Sequence, residues 1–288
     1  MKELGELKHF LGLEVEKRQD GLFLSQWRYA IVLLEKFGLQ ECKPMTTPME
    51  ANVQLNSQEG KDLEDVAMYR RLVGSLIYLT STCPDISYVV GVVSRFMQNP
   101  KKVHLEIIKR VLRYVKGTIE HGIFYKKGAD CKLEGYCNAD YAGDLDIFRS
   151  TTGLCSHSVQ EQCHGAIKRQ STVSLSSTEA EYRAAAMASQ ECTWLVQLLK
   201  DLHQEVDYPV PLYCNNLSAI KLAENPVFHA RTNHVEVHYH FLREKVLKEE
   251  IEMKAVKTGD QVAYIFTKAF SRVKFEEFRS KLGMIKKK

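Results

Sequence analysis

The amino-acid sequence predicts an α/β fold for residues 122–288, preceded by an α+β stretch over 1–121. Three observations point to it. After residue 122, short strand-like runs come first, then one long helical pattern, then strands and helices in alternation, as in a layered α/β domain. Ser176 with Glu179, and Thr178 with Glu181, have capping-box spacing where the long helical pattern begins. Before residue 122, a hairpin pattern is followed by runs whose apolar residues recur at three- and four-residue spacing, the mark of helices. A chain of 288 residues is long enough for two domains of ordinary size.

Residues 7–26 read as a β-hairpin: strand Phe10–Val15, turn Gln19-Asp20-Gly21, return Leu22–Leu24. Residues 27–38 read as a helix with Tyr29, Val32, Leu33 and Phe37 on one side and Gly38 as its stop. Pro44, Pro48 and Gly60 mark 39–66 as a long loop. Residues 69–82 and 85–98 predict a helical hairpin broken at Pro84. Its stripes are Leu72, Leu76 and Leu79, then Ile86, Val89, Val90, Val93 and Phe96, and Asp85 reads as an N-cap. Residues 103–116 form a further helix with the stripe Leu105, Ile108, Leu112 and Val115, stopped by Gly117. Strands are expected at 122–125, 132–138, 153–158 and 165–174. A helix over 178–203 should bury Ala184, Met187, Ala188, Leu195 and Leu198. Strand 211–215, helices 216–224 and 234–248, strand 251–256 and helices near 260–268 and 273–282 complete the chain. Trp27 and Trp194 read as packing residues.

The composition, 44 % apolar and 26 % charged, is that of a globular protein, and the net charge is only +4. Its placement matters more. Lys109, Arg113 and Lys116 line one face of the 103–116 helix, within a wider basic stretch, and suit a polyanion such as nucleic acid; a solvated helix face has the same pattern. Eight cysteines occur without a CxxC pair, which argues against zinc and for small core residues in a reducing compartment. No apolar run reaches the roughly 18 residues of a membrane span, and Met1–Gly5 lacks a signal-peptide core, so the expectation is an intracellular protein, cytoplasmic or nuclear.

Two segments end in the same tripeptide, Tyr136-Cys137-Asn138 and Tyr213-Cys214-Asn215, each closing a strand-like run. A metal-dependent nuclease would carry a carboxylate at such strand ends, since an amide oxygen brings no charge to a hard cation. Asp140, Asp144, Glu179, Glu181 and Asp260 also fall near element ends. Carboxylates spread over separate elements can hold two Mg²⁺ about 4 Å apart, although acids at element ends are also ordinary surface residues. His234, His238 and His240 lack an acidic or Cys partner and read as solvated helix residues.

The wording of the segments is more specific. Phe10-Leu11-Gly12-Leu13-Glu14, Tyr69-Arg70-Arg71-Leu72-Val73-Gly74-Ser75, Ala139-Asp140-Tyr141-Ala142-Gly143, Arg149-Ser150-Thr151-Thr152-Gly153, Ser176-Ser177-Thr178-Glu179-Ala180-Glu181-Tyr182 and Lys281-Leu282-Gly283-Met284 all match one pattern. Through them the chain resembles, nearly end to end, the C-terminal part of the Pol polyprotein of copia-type LTR retrotransposons, especially those of plants. The resemblance implies a reverse-transcriptase thumb/connection remainder over 1–121. It implies a ribonuclease H-like domain, a mixed sheet with flanking helices, over 122–288. The chain has no Tyr-x-Asp-Asp motif, so DNA synthesis is not expected of it.

The family's ribonuclease H cuts the RNA strand of an RNA–DNA hybrid with two Mg²⁺ held by four carboxylates. Carried over one at a time, the first, in a block reading Thr-Asp-Ala-Asp, falls on Asn138. The second falls on Glu181 and is intact. The third, in Cys-Asp-Asn, falls on Asn215, and the fourth, in Ala-Asp-Ile, on Tyr264. Asn233 and His238 depart from the family pattern as well. With Glu181, and Asp140 if it turns inward, the site would hold a charge of −1 or −2 in place of −4. Loss of even a supporting partner of a metal costs about 10–100-fold, so the expectation is a catalytically inactive fragment that binds hybrid or other nucleic acid weakly and holds no productive Mg²⁺. The alternatives are a residual ribonuclease using Asp140, Asp144, Glu179 and Glu181, and a non-enzymatic binding module built on Lys109, Arg113 and Lys116.

Overall fold

The computed structural model describes residues 7–128, 132–158, 161–225 and 236–287, with side chains given except at 157–164 and 236–239. It divides into two compact units, Met1–Gly128 with Ala269–Lys288, and Ala129–Lys268.

The first unit opens on β1 (His9–Phe10), β2 (Leu13–Arg18), β3 (Gly21–Ser25) and α1 (Trp27–Lys36). It continues through α2 (Val66–Leu79), α3 (Ser87–Ser94) and α4 (Lys102–Gly117) to β4 (His121–Lys126). The hairpin turn forms, with Arg18 opposite Gly21. The predicted strand Phe10–Val15 is instead split, because Leu11 and Gly12 adopt positive φ of 47° and 75°. Gly12 fits this turn because a Cβ there would run into the Tyr78 hydroxyl. In α1 the buried face is Ala30, Leu33 and Leu34, while Val32 is exposed, so the stripe is rotated from the predicted one. Trp27 is 40 % exposed and Trp194 56 %; neither is a core residue.

The helical hairpin and its two stripes are as expected, but the second helix is shorter: a 3-10 turn, Pro84–Ile86, precedes α3, which ends at Ser94. Asp85 is not a surface cap. It is buried and accepts a hydrogen bond from the Tyr114 hydroxyl, to which Arg279 also donates at 3.4 Å. Burial pushes the Asp85 carboxyl up to about 6 against the pull of Tyr114 and Arg279. The long loop 39–66 is tied down by α4: Arg113 Nε donates to the Lys43 carbonyl and Lys116 Nζ to the Cys42 carbonyl, each at 2.8 Å. Arg110 adds an ion pair to Glu50.

The second unit is β5 (Leu133–Asp140), β6 (Thr151–Ser158), β7 (Glu161–Arg169), α5 (Ser177–Asp201), β8 (Val210–Cys214), α6 (Leu217–Glu224), α7 (Glu236–Leu247) and β9 (Ile251–Ala255). Its sheet has the order β7-β6-β5-β8-β9. The first three strands are antiparallel; β8 joins β5, and β9 joins β8, in parallel. Parallel neighbours need long crossovers, which the helices provide. The core packs Leu133, Cys137, Leu154, Leu212 and Cys214 with Ala184, Ala188 and Cys192 of α5. Small side chains let the helix approach closely: a Cβ at Gly135 would lie 2.8 Å from Cys192 Sγ. Leu198 is 38 % exposed and so leaves the predicted stripe. Cys137, Cys155, Cys192 and Cys214 are buried free thiols.

The predicted helix near 260–268 is a 3-10 segment, Val262–Phe266. The chain then passes to α8 (Arg272–Lys281) and β10 (Met284–Lys286). Here the boundary differs from the sequence division at 121/122. β4 pairs with β3 and β10 in the first sheet, so both His121–Lys126 and the C-terminal elements belong to the first unit. Period-2 alternation identifies a strand but not the sheet it joins. His234 and Asn233 lie outside the described residues, as does the His238 side chain; His240 is exposed. Among the described residues no helix is long and apolar enough to cross a membrane.

The topology makes the second unit an insertion into the first. Truncation after Lys268 is therefore expected to strip amide protection from β4 while β5 and β8 keep theirs. Hydrogen exchange followed by mass spectrometry checks this; equal loss in both units would contradict it.

Candidate active site

The two Tyr-Cys-Asn tripeptides lie side by side. On the parallel strands β5 and β8, Tyr136 is the register partner of Tyr213, and their rings stack with centroids 4.8 Å apart. The identical wording therefore places Asn138 and Asn215 at the same end of neighbouring strands. Gln261 stitches this end together, since its Nε2 donates to the Cys137 carbonyl at 2.9 Å and the Tyr213 carbonyl at 3.3 Å. The 3-10 segment that follows lies directly on β6. A Cβ at Gly153 would fall 2.8 Å or less from Thr267, Ala263 and Phe266.

That contact brings Thr267 and Tyr264 to the strand ends. Asn138, buried, donates from Nδ2 to Thr267 Oγ1 at 2.7 Å. Asn215 Nδ2 donates to the Tyr264 hydroxyl at 2.7 Å, and its Oδ1 is buried without a hydrogen-bond partner among the described residues. The Tyr264 ring is buried, and the Lys268 ammonium sits 3.7 Å from its centroid. Glu181, from the first turns of α5, is 7 % exposed and accepts the Ala139 N–H at 3.1 Å. Burial pushes its carboxyl up to about 8, and nearby Cys214 adds to this; the Ala139 N–H and the Lys268 charge pull it back. Burial raises the Tyr264 phenol, and the Glu181 carboxyl adds to this.

The four positions are thus gathered, but their chemistry does not fit a pair of Mg²⁺ ions. They offer one carboxyl, largely protonated at neutral pH, two amides whose NH₂ ends are engaged with hydroxyls, and a phenol beneath an ammonium. Hard cations need several anionic oxygens. Among the described residues no group of three or more His, Cys, Asp or Glu side chains is placed to hold a metal. The other acids are engaged elsewhere. Asp144 is buried, pairs with Arg169 at 2.9 Å and accepts the N–H groups of Asp146 and Ile147. Glu179 pairs with Arg183 at 2.8 Å and accepts the Leu175 N–H at 2.8 Å, while its own N–H is capped by Ser176. The Asp140 carboxylate lies over Gly143, where a side chain at 143 would stand.

In the first unit, Lys109 is exposed and pairs with Glu106 at 2.7 Å, whereas Arg113 and Lys116 anchor the loop. Sequence reasoning did not single out Gln261, Thr267 or Lys268. The signal was present, because Lys268 lies four residues after Tyr264, the spacing that returns a side chain to the same side of a helical turn.

Fold and topology together define a ribonuclease H-like domain inserted in a second α+β unit. The chain belongs to the retrovirus-related Pol polyproteins of transposons. It is 43 % identical to the Pol polyprotein from transposon RE1 of Arabidopsis thaliana over 99 % of its own length and 19 % of that protein. It is 39 % identical to that from transposon TNT 1-94 of Nicotiana tabacum, over 99 % of its length and 22 % of that protein. The chain spans about a fifth of the length of these relatives. Among solved structures, the foamy viral protease-reverse transcriptase in complex with an RNA/DNA hybrid shares the fold, with a TM-score of 0.50 and 13 % identity over 86 % of this chain and 29 % of that one. No family model matches the chain.

A carboxyl whose folded pKa stands near 8, against an ordinary 4.5, gives the native state an extra proton between those values. Its contribution to stability is full below about pH 4.5 and is lost as the pH rises through about 8. Melting temperatures from pH 5 to 9 should fall for the unaltered chain and fall less for Glu181→Gln; parallel curves would contradict the assignment.

Proposed function

We propose that this chain is a non-cleaving segment of a transposon Pol polyprotein, able to hold RNA–DNA hybrid or other nucleic acid but not to cut it. The observation that carries this reading is the Asn215–Tyr264 hydrogen bond. Two positions that hold carboxylates in the family are here a neutral pair, joined by one hydrogen bond from the amide to the phenol. Such a pair has no charge with which to hold a divalent ion. Where Mg²⁺ binds in the family, it activates the attacking water; here Glu181 alone is an acid among the four positions, and its Oε2 accepts the Ala139 N–H. The ion pairs of Asp144 and Glu179 argue against a rebuilt site that uses those acids.

Incubation of the full chain with a labelled hybrid and Mg²⁺ or Mn²⁺ is expected to give no cleavage above background, with Glu181→Gln no different. Cleavage abolished by Glu181→Gln would overturn the reading. Returning Asp at 138, 215 and 264 together is expected to raise cutting by about 100-fold or more.

Binding is assigned to the exposed side of α4. A hydrogen bond to a carbonyl does not cancel a cation, so Arg113 and Lys116 still add to the field there. The substitution Lys109→Gln should weaken hybrid binding and lower the salt slope by about 1, with little effect on stability. The substitutions Arg113→Gln and Lys116→Gln should also lower the melting temperature, because they release the loop. Fluorescence anisotropy at several salt concentrations, with thermal melts, separates the two effects; salt-independent binding would remove α4 from the interface.

A further inference from the structure

We infer that Cys137 and Cys214, the middle residues of the twin tripeptides, form a buried dithiol site for one soft monovalent ion such as Cu⁺. The site stands apart from the cleavage chemistry, which uses neither thiol.

The pairing of β5 with β8 builds this site. Tyr136 and Tyr213 are register partners whose rings stack on one face of the sheet. The next residue of each strand points to the opposite face, so Cys137 and Cys214 are neighbours in the core beneath α5. Both are fully buried free thiols. The Cys137 sulphur reaches across the ladder: its Sγ donates to the Tyr213 carbonyl at 3.6 Å, at the peptide that enters Cys214. Each thiol is the largest single influence on the other's proton. Gln261 bonds to the carbonyls of Cys137 and Tyr213 and so fixes the spacing of the two strands at this level. Cys214 is the last residue of β8, where local opening costs least and admits an ion.

The donor set selects the ion. Thiolates favour soft ions, whereas hard ones such as Mg²⁺ take oxygen. Structural zinc takes four ligands, and among the described residues no group of three or more His, Cys, Asp or Glu is placed to hold a metal. A pair of thiolates alone matches a soft monovalent ion. Two metal–sulphur bonds of about 2.3 Å laid end to end span about 4.6 Å, close to the roughly 4.8 Å between neighbouring strands. The Asn216 N–H donates to Cys214 Sγ at 3.4 Å, a supporting hydrogen bond that favours the thiolate a metal requires. Binding releases both thiol protons and leaves a bis-thiolate complex with one negative charge.

The test offers Cu⁺, without oxygen, to the full chain in the presence of bathocuproine disulfonate, a coloured chelator that competes for the ion. The unaltered chain is expected to take one Cu⁺ from the chelator. Cys137→Ser and Cys214→Ser should each weaken this by about tenfold or more. Cys155→Ser should not, since Cys155 is the register partner of Tyr136 and lies on the other face of the sheet. No uptake by the unaltered chain, or equal uptake by all four forms, would overturn the proposal. Should a serine in the core unfold the second unit, X-ray absorption at the copper edge of the unaltered chain loaded with one Cu⁺ decides. Two sulphur neighbours with no nitrogen or oxygen are expected; any other set would overturn the site.

Discussion

The in-register parallel pairing of β5 with β8 is the constraint on which the second unit depends. It sets Tyr136 against Tyr213 and brings two strand ends, 77 residues apart by their numbers, 138 and 215, to one place. Gln261 reads that pairing directly, donating one hydrogen bond to each strand. The 3-10 segment behind Gln261 can then lie on β6 only because residue 153 is glycine. Without the pairing, Asn138, Glu181, Asn215 and Tyr264 would be four unrelated side chains.

The same framework explains how the fold can hold with one carboxyl among these four positions. A cluster of carboxylates in a half-buried cleft repels itself unless cations fill it. With amides at 138 and 215 and a phenol at 264 that repulsion is absent; Asn138 bonds to Thr267 and Asn215 Nδ2 to Tyr264, while Asn215 Oδ1 is left without a hydrogen-bond partner among the described residues. Buried polar groups cost little once they are paired. Glu181 remains an acid at this place: it accepts the Ala139 N–H, and burial holds its carboxyl above the usual range. Fold and chemistry are separable here because the sheet is held by small residues packed under α5, not by the site.

Much of this was legible in the sequence, and what was missed has physical reasons. The strands of the second unit, the long capped helix and the helical hairpin are local patterns, and their stripes reappear in the core except for Leu198 and the half-buried Met187. The identity of the strand ends was visible as a repeated tripeptide. Their adjacency was not, since register across a parallel ladder is set by tertiary packing. Asp85 looked like a cap because its position before a helix is local information, while its partners Tyr114 and Arg279 come from distant parts of the chain. The placing of β4 failed for a similar reason: a strand's sheet is chosen by its neighbours, here β3 and β10. The anchoring of the loop by Arg113 and Lys116 was not legible either, because a basic helix stripe does not show which carbonyls lie above it.

The central claim is that amide and phenol groups have closed the site around an acid that no longer meets a divalent ion. Nuclear magnetic resonance of the unaltered chain with paramagnetic Mn²⁺ tests it directly. The side-chain NH₂ signals of Asn138 and Asn215 and the amide signal of Ala139 should broaden no more at millimolar Mn²⁺ than those of other buried residues. Selective loss of those three signals would place a metal ion among them and contradict the account.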